Sequence, residues 1–176
     1  MSYVDIVILR HLRLRPAHGY DLRKRVEATT GYVLHNNSMY PALRRFEEAG
    51  AVVKTVEARE GRPPRLVYEI TAVGRELLHD MLATFPPQEA GNEMEFLARL
   101  GQFSLLTTDE QVAILDARTV AVSAPLEHLR DISGLARGDV WGGLVIEEMT
   151  RRGEAELDWL AGLRVHVAER TSEVVP

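Results

Sequence analysis

Apolar residues near the start of the chain recur at helical spacing. Val4, Val7, Ile8, His11 and Leu14 fall three or four apart, and Asp5 sits in the first turn, where a carboxylate suits the helix dipole. Pro16 stops this helix. A second is predicted from about His18 to Thr29, with Tyr20, Leu22 and Val26 inward, Arg23, Lys24 and Arg25 mostly outward, and Gly31 closing it. Tyr32 to Asn37 reads as a connector. A third helix is expected to begin near Ser38 as N-cap, with Pro41 in its first turn. Met39, Leu43 and Phe46 make an apolar stripe at i, i+4 and i+7. Arg44, Arg45, Glu47 and Glu48 occupy its other faces, and Gly50 supplies the stop.

The period then changes from about 3.6 to 2. Ala51 to Val56 and Leu66 to Ile70 are β-branched, strand-like runs. The segment between them, Glu57 to Arg65, carries Gly61, Pro63 and Pro64, so a loop is expected there, too long for a tight hairpin turn. Thr71 is placed to cap a helix from Ala72 to about Phe85, broken by Pro86-Pro87. Helix, helix, helix, strand, basic loop, strand, helix is the element order of a winged helix-turn-helix.

The remainder reads as all-helical. Glu93 to Leu106 has Met94, Leu97, Leu100 and Phe103 at spacings of three. Thr108 to Leu135 opens with Thr108 and Gln111 spaced for a capping box, then carries Val112, Leu115, Val122, Leu126 and Leu129 as a seam that Pro125 is expected to kink. Asp139 to about Ala168 forms a last helix with Trp141, Leu144, Val145, Met149, Leu157, Leu160 and Leu163, which Gly153 is placed to bend. The expected fold class is mainly α. A winged helix-turn-helix of three helices and a two-stranded wing covers residues 1–85, and an all-helical domain, whose seams suit either an intrachain core or a dimer interface, covers 86–176.

Charge sharpens this division. Residues 1–85 carry 13 Lys and Arg against 10 Asp and Glu, whereas residues 86–176 carry 8 against 16. An anionic partner is therefore expected for the first part alone. The chain has no Cys, which excludes disulfides, thiolate metal sites and Cys nucleophiles. The apolar run Ile6 to Leu9 is interrupted too soon by Arg10, His11, Arg13 and Arg15 to be a signal peptide or a membrane span. A cytoplasmic protein with no membrane association is the expectation.

DNA binding needs a helix for the major groove and cations for phosphates. The third helix offers Ser38, Tyr40 and Arg44, preceded by Asn36 and Asn37. Arg44 suits guanine or phosphate, and Tyr40 a phosphate or a thymine methyl. Arg59, Arg62 and Arg65 on the loop, opposed by Glu57 and Glu60, suit a wing along a minor groove, and Lys24 adds a phosphate contact. Enzyme readings find little. No serine has the flanking glycines of a nucleophile elbow, and no His-x-x-x-His or His-Glu-x-x-His spacing occurs. His18 is expected to cap or pack at the start of the second helix. Gly61-Arg62-Pro63-Pro64 precedes a strand rather than a helix and so is no phosphate loop. No cofactor or metal is expected. Trp141 and Trp159 are the candidates for an apolar effector pocket, against plain core or dimer packing.

Four pieces of the chain resemble the PadR family of transcriptional regulators. They are Pro16-Ala17-His18-Gly19-Tyr20-Asp21-Leu22, Ser38 to Gly50 with its Ser-x-Tyr-Pro-x-Leu pattern, Gly61-Arg62-Pro63-Pro64 to Thr71, and Gly74-Arg75-Glu76-Leu77-Leu78. Together they cover the N-terminal half almost continuously. The second half is similar only as a helical segment ending in Glu156-Leu157-Asp158-Trp159-Leu160. The resemblance implies a homodimer with interlocking C-terminal helices on an inverted repeat in a promoter. It also implies a regulator, usually a repressor, released by a small aromatic or hydrophobic molecule. Asn36-Asn37 stand where the family often has Pro-Gly or Pro-Ser, and Pro63-Pro64 where it more often has one proline. A protein-docking winged helix, or an activator without a small-molecule ligand, is the alternative. Cations on both helix and wing favour DNA.

Overall fold

Helix α1 (Tyr3–Leu14) is wrapped almost all round. Ile6, Val7, Ile8, Leu9 and Leu12 are buried, and so are Asp5 and His11. These belong to a computed structural model that describes residues 3–31, 33–59, 62–133 and 139–173, with the side chains of 59, 62, 63 and 171–173 outside that description. The chain divides into two compact units, Met1–Thr84 and Phe85–Pro176. The fold is mainly helical with one small antiparallel sheet.

In the first unit α1 is followed by β1 (Ala17–His18), α2 (Gly19–Thr30), α3 (Asn36–Glu48), β2 (Val52–Arg59), β3 (Arg62–Ile70) and α4 (Ala72–Ala83). The sheet order is β1-β3-β2, so the wing has three strands rather than the expected two. Two residues carry no readable period, yet β1 pairs Ala17 with Tyr68 and His18 with Val67. The hairpin also runs further into the expected loop than Gly and Pro suggested, pairing Glu57 with Arg65 and Arg59 with Arg62. Pro64 is tolerated because β1 ends at Val67, leaving that edge of β3 open, and because the β2 register shifts between Glu57 and Arg59. Val52 and Ile70, paired at the base, are buried.

Helix α3 buries the stripe read from its spacing: Met39, Leu43 and Phe46, joined by Ala42. Its start is different. The helix begins at Asn36 with His35 as N-cap, and Ser38 Oγ donates to the His35 carbonyl (3.1 Å). Ser38 as N-cap would accept from the amide of Pro41, which has none. Pro41 therefore lies in the second turn, not the first. Two other apolar assignments fail: Leu14, the last residue of α1, is exposed, and Tyr20 lies on the exposed face of α2. Thr71 caps α4 as expected, accepting from the Gly74 amide (3.0 Å).

The second unit holds α5 (Pro87–Ala90), α6 (Glu93–Leu100), a 3₁₀ turn (Phe103–Leu105), α7 (Thr108–Ile132) and α8 (Val140–Glu173). The expected helix Glu93 to Leu106 is thus two pieces, separated at Gly101. Met94 and Leu97 are exposed, and the buried face of α6 is Glu95, Phe96 and Arg99. A strict three-residue repeat explains the miss. Each step turns about 60° short of a full circle, so residues 94, 97, 100 and 103 spread round the helix instead of sharing a face. Arg99 donates to Glu89 (2.6 Å) and Glu95 (3.0 Å) and lies over the Phe85 ring.

The capping box of α7 is shifted by one residue. Thr107 is the N-cap, its hydroxyl accepts from the Glu110 amide, and the Glu110 carboxylate accepts from the Thr107 amide (2.8 Å). Of two adjacent threonine frames, the one with a charged Glu at N3 gains from the helix dipole. Gln111 donates instead to the carbonyls of Phe103 (2.7 Å) and Leu106 (2.9 Å). Helices α7 and α8 run antiparallel, joined by Arg118–Glu156 (2.6 Å), Arg130–Glu154 (2.8 Å) and Arg164–Asp116. The α7 seam is also narrower than expected, with Ile114, Leu115, Arg118 and Leu126 buried and Val112, Val122 and Leu129 half-buried. Pro125 is inside α7. Gly153 is inside a continuous α8, where a Cβ would stand 3.2 Å from Leu126 Cδ1, so its role is close helix contact.

Candidate nucleic-acid interface

The face of α3 opposite its buried stripe is polar and open. Asn36, Asn37, Tyr40 and Arg44 are exposed, and Ser38 is half-buried. Arg44 is four-fifths exposed and pairs with Glu48 one turn on (2.9 Å). Its neighbour Arg45 turns the other way and donates to the buried Asp5 carboxylate of α1 (2.7 Å). Asp5, read from sequence as a dipole residue, is thus also the anchor of α3.

The wing stands beside this helix. Arg65 is exposed on β3, across from Glu57 on β2. Arg62 opens β3, and Glu60 and Gly61, together with the Arg62 side chain, lie outside the described residues. His18 occupies the N-cap position of α2 but caps nothing with its ring. Its Nδ1 faces the Leu66 carbonyl (3.2 Å), and its Nε2 faces the Glu57 carboxylate (3.2 Å). The residue read as a helix-start group is therefore a bridge from the helix-turn-helix to both wing strands, placed there by β1.

Lys24 is exposed on α2, and its ammonium stands over the ring of Tyr20, 4.8 Å from the centroid, with Arg23 at 5.5 Å. A hydrogen bond with Tyr20 holds the Lys24 pKa above its ordinary value. This explains why Tyr20 is outside: its ring gathers two cations at the surface. Arg25 bends back and donates to the carbonyls of His11 (3.5 Å), Arg15 (3.4 Å) and Pro16 (3.3 Å), closing the C-terminal end of α1. Asn36, Asn37, Tyr40, Arg44 and Lys24 thus share the surface of one unit with Arg65. The sequence reading missed the structural roles of His18 and Asp5. For His18 the signal was a histidine directly ahead of a helix-opening glycine.

The two effector candidates are elsewhere. Trp141 is 79% exposed near the start of α8, and Trp159 is 44% exposed, with Phe96 edge-on at 6.0 Å. The second unit also contains an open cavity of about 540 Å³ between the α6–α7 connection and the end of α8, lined by Leu100, Phe103, Leu106, Leu163, Val167 and Arg170 among others. Neither tryptophan lines it. Among the described residues no group of histidines and carboxylates is spaced to hold a metal, and no helix is long and apolar enough to cross a membrane.

A three-helix unit with a wing and an exposed polar third helix is a winged helix-turn-helix of the kind found in transcription regulators. Residues 8–80 match the transcriptional regulator PadR-like family, a span that takes in nearly all of the first unit. The first unit is thus similar to this family, whose members are DNA-binding regulators and not enzymes. Among solved structures, it is similar to a Thermoplasma acidophilum protein assigned as a transcriptional regulator, TA0346. The identity is 32%, over 60% of this chain and 90% of that one, with a TM-score of 0.41. Bacillus subtilis PadR in complex with operator DNA is 20% identical over 94% of this chain and 99% of that one, with a TM-score of 0.46. The Streptococcus mutans protein smu.1604c is 22% identical over 98% and 99%, with a TM-score of 0.44. No curated protein sequence matches the chain.

Proposed function

We propose that this chain binds operator DNA as a homodimer, with α3 in the major groove and the wing on the adjacent backbone, and that it acts as a ligand-responsive repressor. The observation that carries the DNA reading is the two-sidedness of α3. Its apolar stripe is consumed by the core, while Asn36, Asn37, Tyr40 and Arg44 face outward beside a wing that carries Arg65. Operator binding by B. subtilis PadR is consistent with it.

The dimer reading is supported by α8, where Val140, Trp141, Leu144, Val145 and Met149 are all exposed at helical spacing. Such a stripe on a helix already paired with α7 is apolar surface suited to a second copy. Two half-sites about 34–36 Å apart then lie on one face of the duplex. An effector that stacks on Trp141 would act by favouring one spacing of the two recognition helices over the other. The test is a titration of duplex from the region upstream of the chain's own gene, at several salt concentrations. Arg65→Ala should lower the slope of log affinity against log salt by about 0.9 if it loses one phosphate. Absence of binding at low salt, with and without candidate aromatic ligands, would refute the reading.

A further inference from the structure

Gly19 opens α2 and has no backbone reason to be glycine. Among the described residues only Gly31 and Gly50 have positive φ. Gly19 is also buried, and at an ordinary helical position alanine is the better helix former. What a methyl group there would meet is Tyr40. Its Cβ would stand 2.9 Å from the Tyr40 hydroxyl, 3.2 Å from Cε1 and 3.3 Å from Cζ. Tyr40 in turn walls a groove of about 310 Å³ with His18, Tyr20, Arg65 and Tyr68, the seam between α2, α3 and the wing.

We propose that Gly19 is a positioning residue for DNA recognition. Its missing side chain lets the Tyr40 ring lie across the start of α2, and this fixes where the Tyr40 hydroxyl stands on the exposed face of α3. The role rests on the DNA-binding reading above. The atoms a methyl would strike are the far end of a long side chain, and Tyr40 is 47% exposed. The ring can therefore swing into water while the backbone stays in place. A change at residue 19 moves the tip of Tyr40 and leaves the core, Leu22 and Val26 included, as it was.

The test is a double-mutant cycle of Gly19→Ala and Tyr40→Ala in the full chain, reading duplex affinity at fixed salt and the urea midpoint. Gly19→Ala should weaken binding about tenfold, the size of one lost specific contact, with the urea midpoint unchanged. The double variant should bind no more weakly than Tyr40→Ala alone, since the two residues act through one contact. Additive losses, or a Gly19→Ala chain that binds like the parent, overturn the proposal. So does a loss of affinity matched by a loss of stability. A second readout needs no DNA. With 3-fluorotyrosine incorporated, the Tyr40 resonance (assigned by its disappearance in Tyr40→Phe) should shift in Gly19→Ala. If the parent chain binds duplex and that resonance does not move, this proposal falls alone. If the parent binds no duplex, the DNA reading falls and takes the role of Gly19 with it.

Discussion

Lowering the pH from 7.5 to 5 should destabilise the first unit through His11. The ring is buried in α1, with Nε2 3.0 Å from Thr29 Oγ1, whose own proton goes to the Arg25 carbonyl (2.8 Å). Burial strips water from the cationic form, and Arg10 and Arg25 repel it, so the pKa falls from 6.5 to about 4. The unfolded chain takes up this proton near pH 6.5, whereas the folded chain refuses it until near pH 4. His11 therefore costs no stability above about pH 6.5, and its penalty grows as pH falls towards 4. The gap corresponds to about 3 kcal/mol at the acid limit, of which about 2 kcal/mol is lost by pH 5. Urea unfolding at stepped pH measures this, and the units can be followed separately. All five tyrosines lie in residues 1–84 and both tryptophans in 85–176, so near-ultraviolet circular dichroism resolves them. His11→Phe keeps an aromatic ring there and removes the titration, so whatever constant packing offset it adds, the parent-minus-variant stability should decline between pH 7 and 5. A constant difference across that range, or a His11 imidazole that titrates near 6.5 by NMR, would refute the reasoning.

Three further outcomes are expected. Gly74→Ala should cost at least about 1–3 kcal/mol of stability in the first unit, because its Cβ would approach the Ala51 carbonyl oxygen, and that oxygen already accepts from the Thr71 amide; an unchanged urea midpoint would contradict this. Val145→Glu should shift the sedimentation equilibrium from dimer towards monomer at micromolar concentration, and an unaltered dimer would move the interface off this stripe of α8. Trp141→Phe should abolish the effect of a quenching aromatic ligand on DNA affinity and leave the dimer intact; an unchanged response would place the effector elsewhere, with the α6–α8 cavity the next place to look.

The parts of the fold that were legible in sequence are those where one residue type does one job. The α3 stripe, the Thr71 cap and the change of period into the wing each depend on local spacing, and each stands where the spacing puts it. The parts that were not legible depend on partners distant in the chain. β1 exists only because Val67 and Tyr68 pair with it, some 50 residues on. Tyr20 looks like core and is a platform for Arg23 and Lys24. On α6 Met94 and Leu97 are outside, because Arg99 with its two carboxylates shares the inward face with Phe96. Hydrophobicity alone cannot register a guanidinium that is buried because it is paired. On the candidate interface, the outward polar residues of α3 could be named from its periodicity. The supports beneath them, Asp5 under Arg45 and Gly19 under Tyr40, could not.

The short third strand gives the wing a fulcrum. Ala17 and His18 pair with β3 at Tyr68 and Val67, near the root of the hairpin, and beyond them the described backbone ladder runs between β2 and β3 alone. Lengthening the hairpin between Arg59 and Arg62 by one residue per strand would extend its reach by about 3.3 Å. That is close to the rise along the helix axis between successive phosphates of one DNA strand, about 3.4 Å. The pairs from Val52–Ile70 to Val56–Leu66 would remain as they are, and so would the seat of α3. On the proposed DNA-binding reading, the reach of the wing along an operator can therefore be changed by editing the tip alone, one backbone step at a time, without disturbing the hydrophobic core.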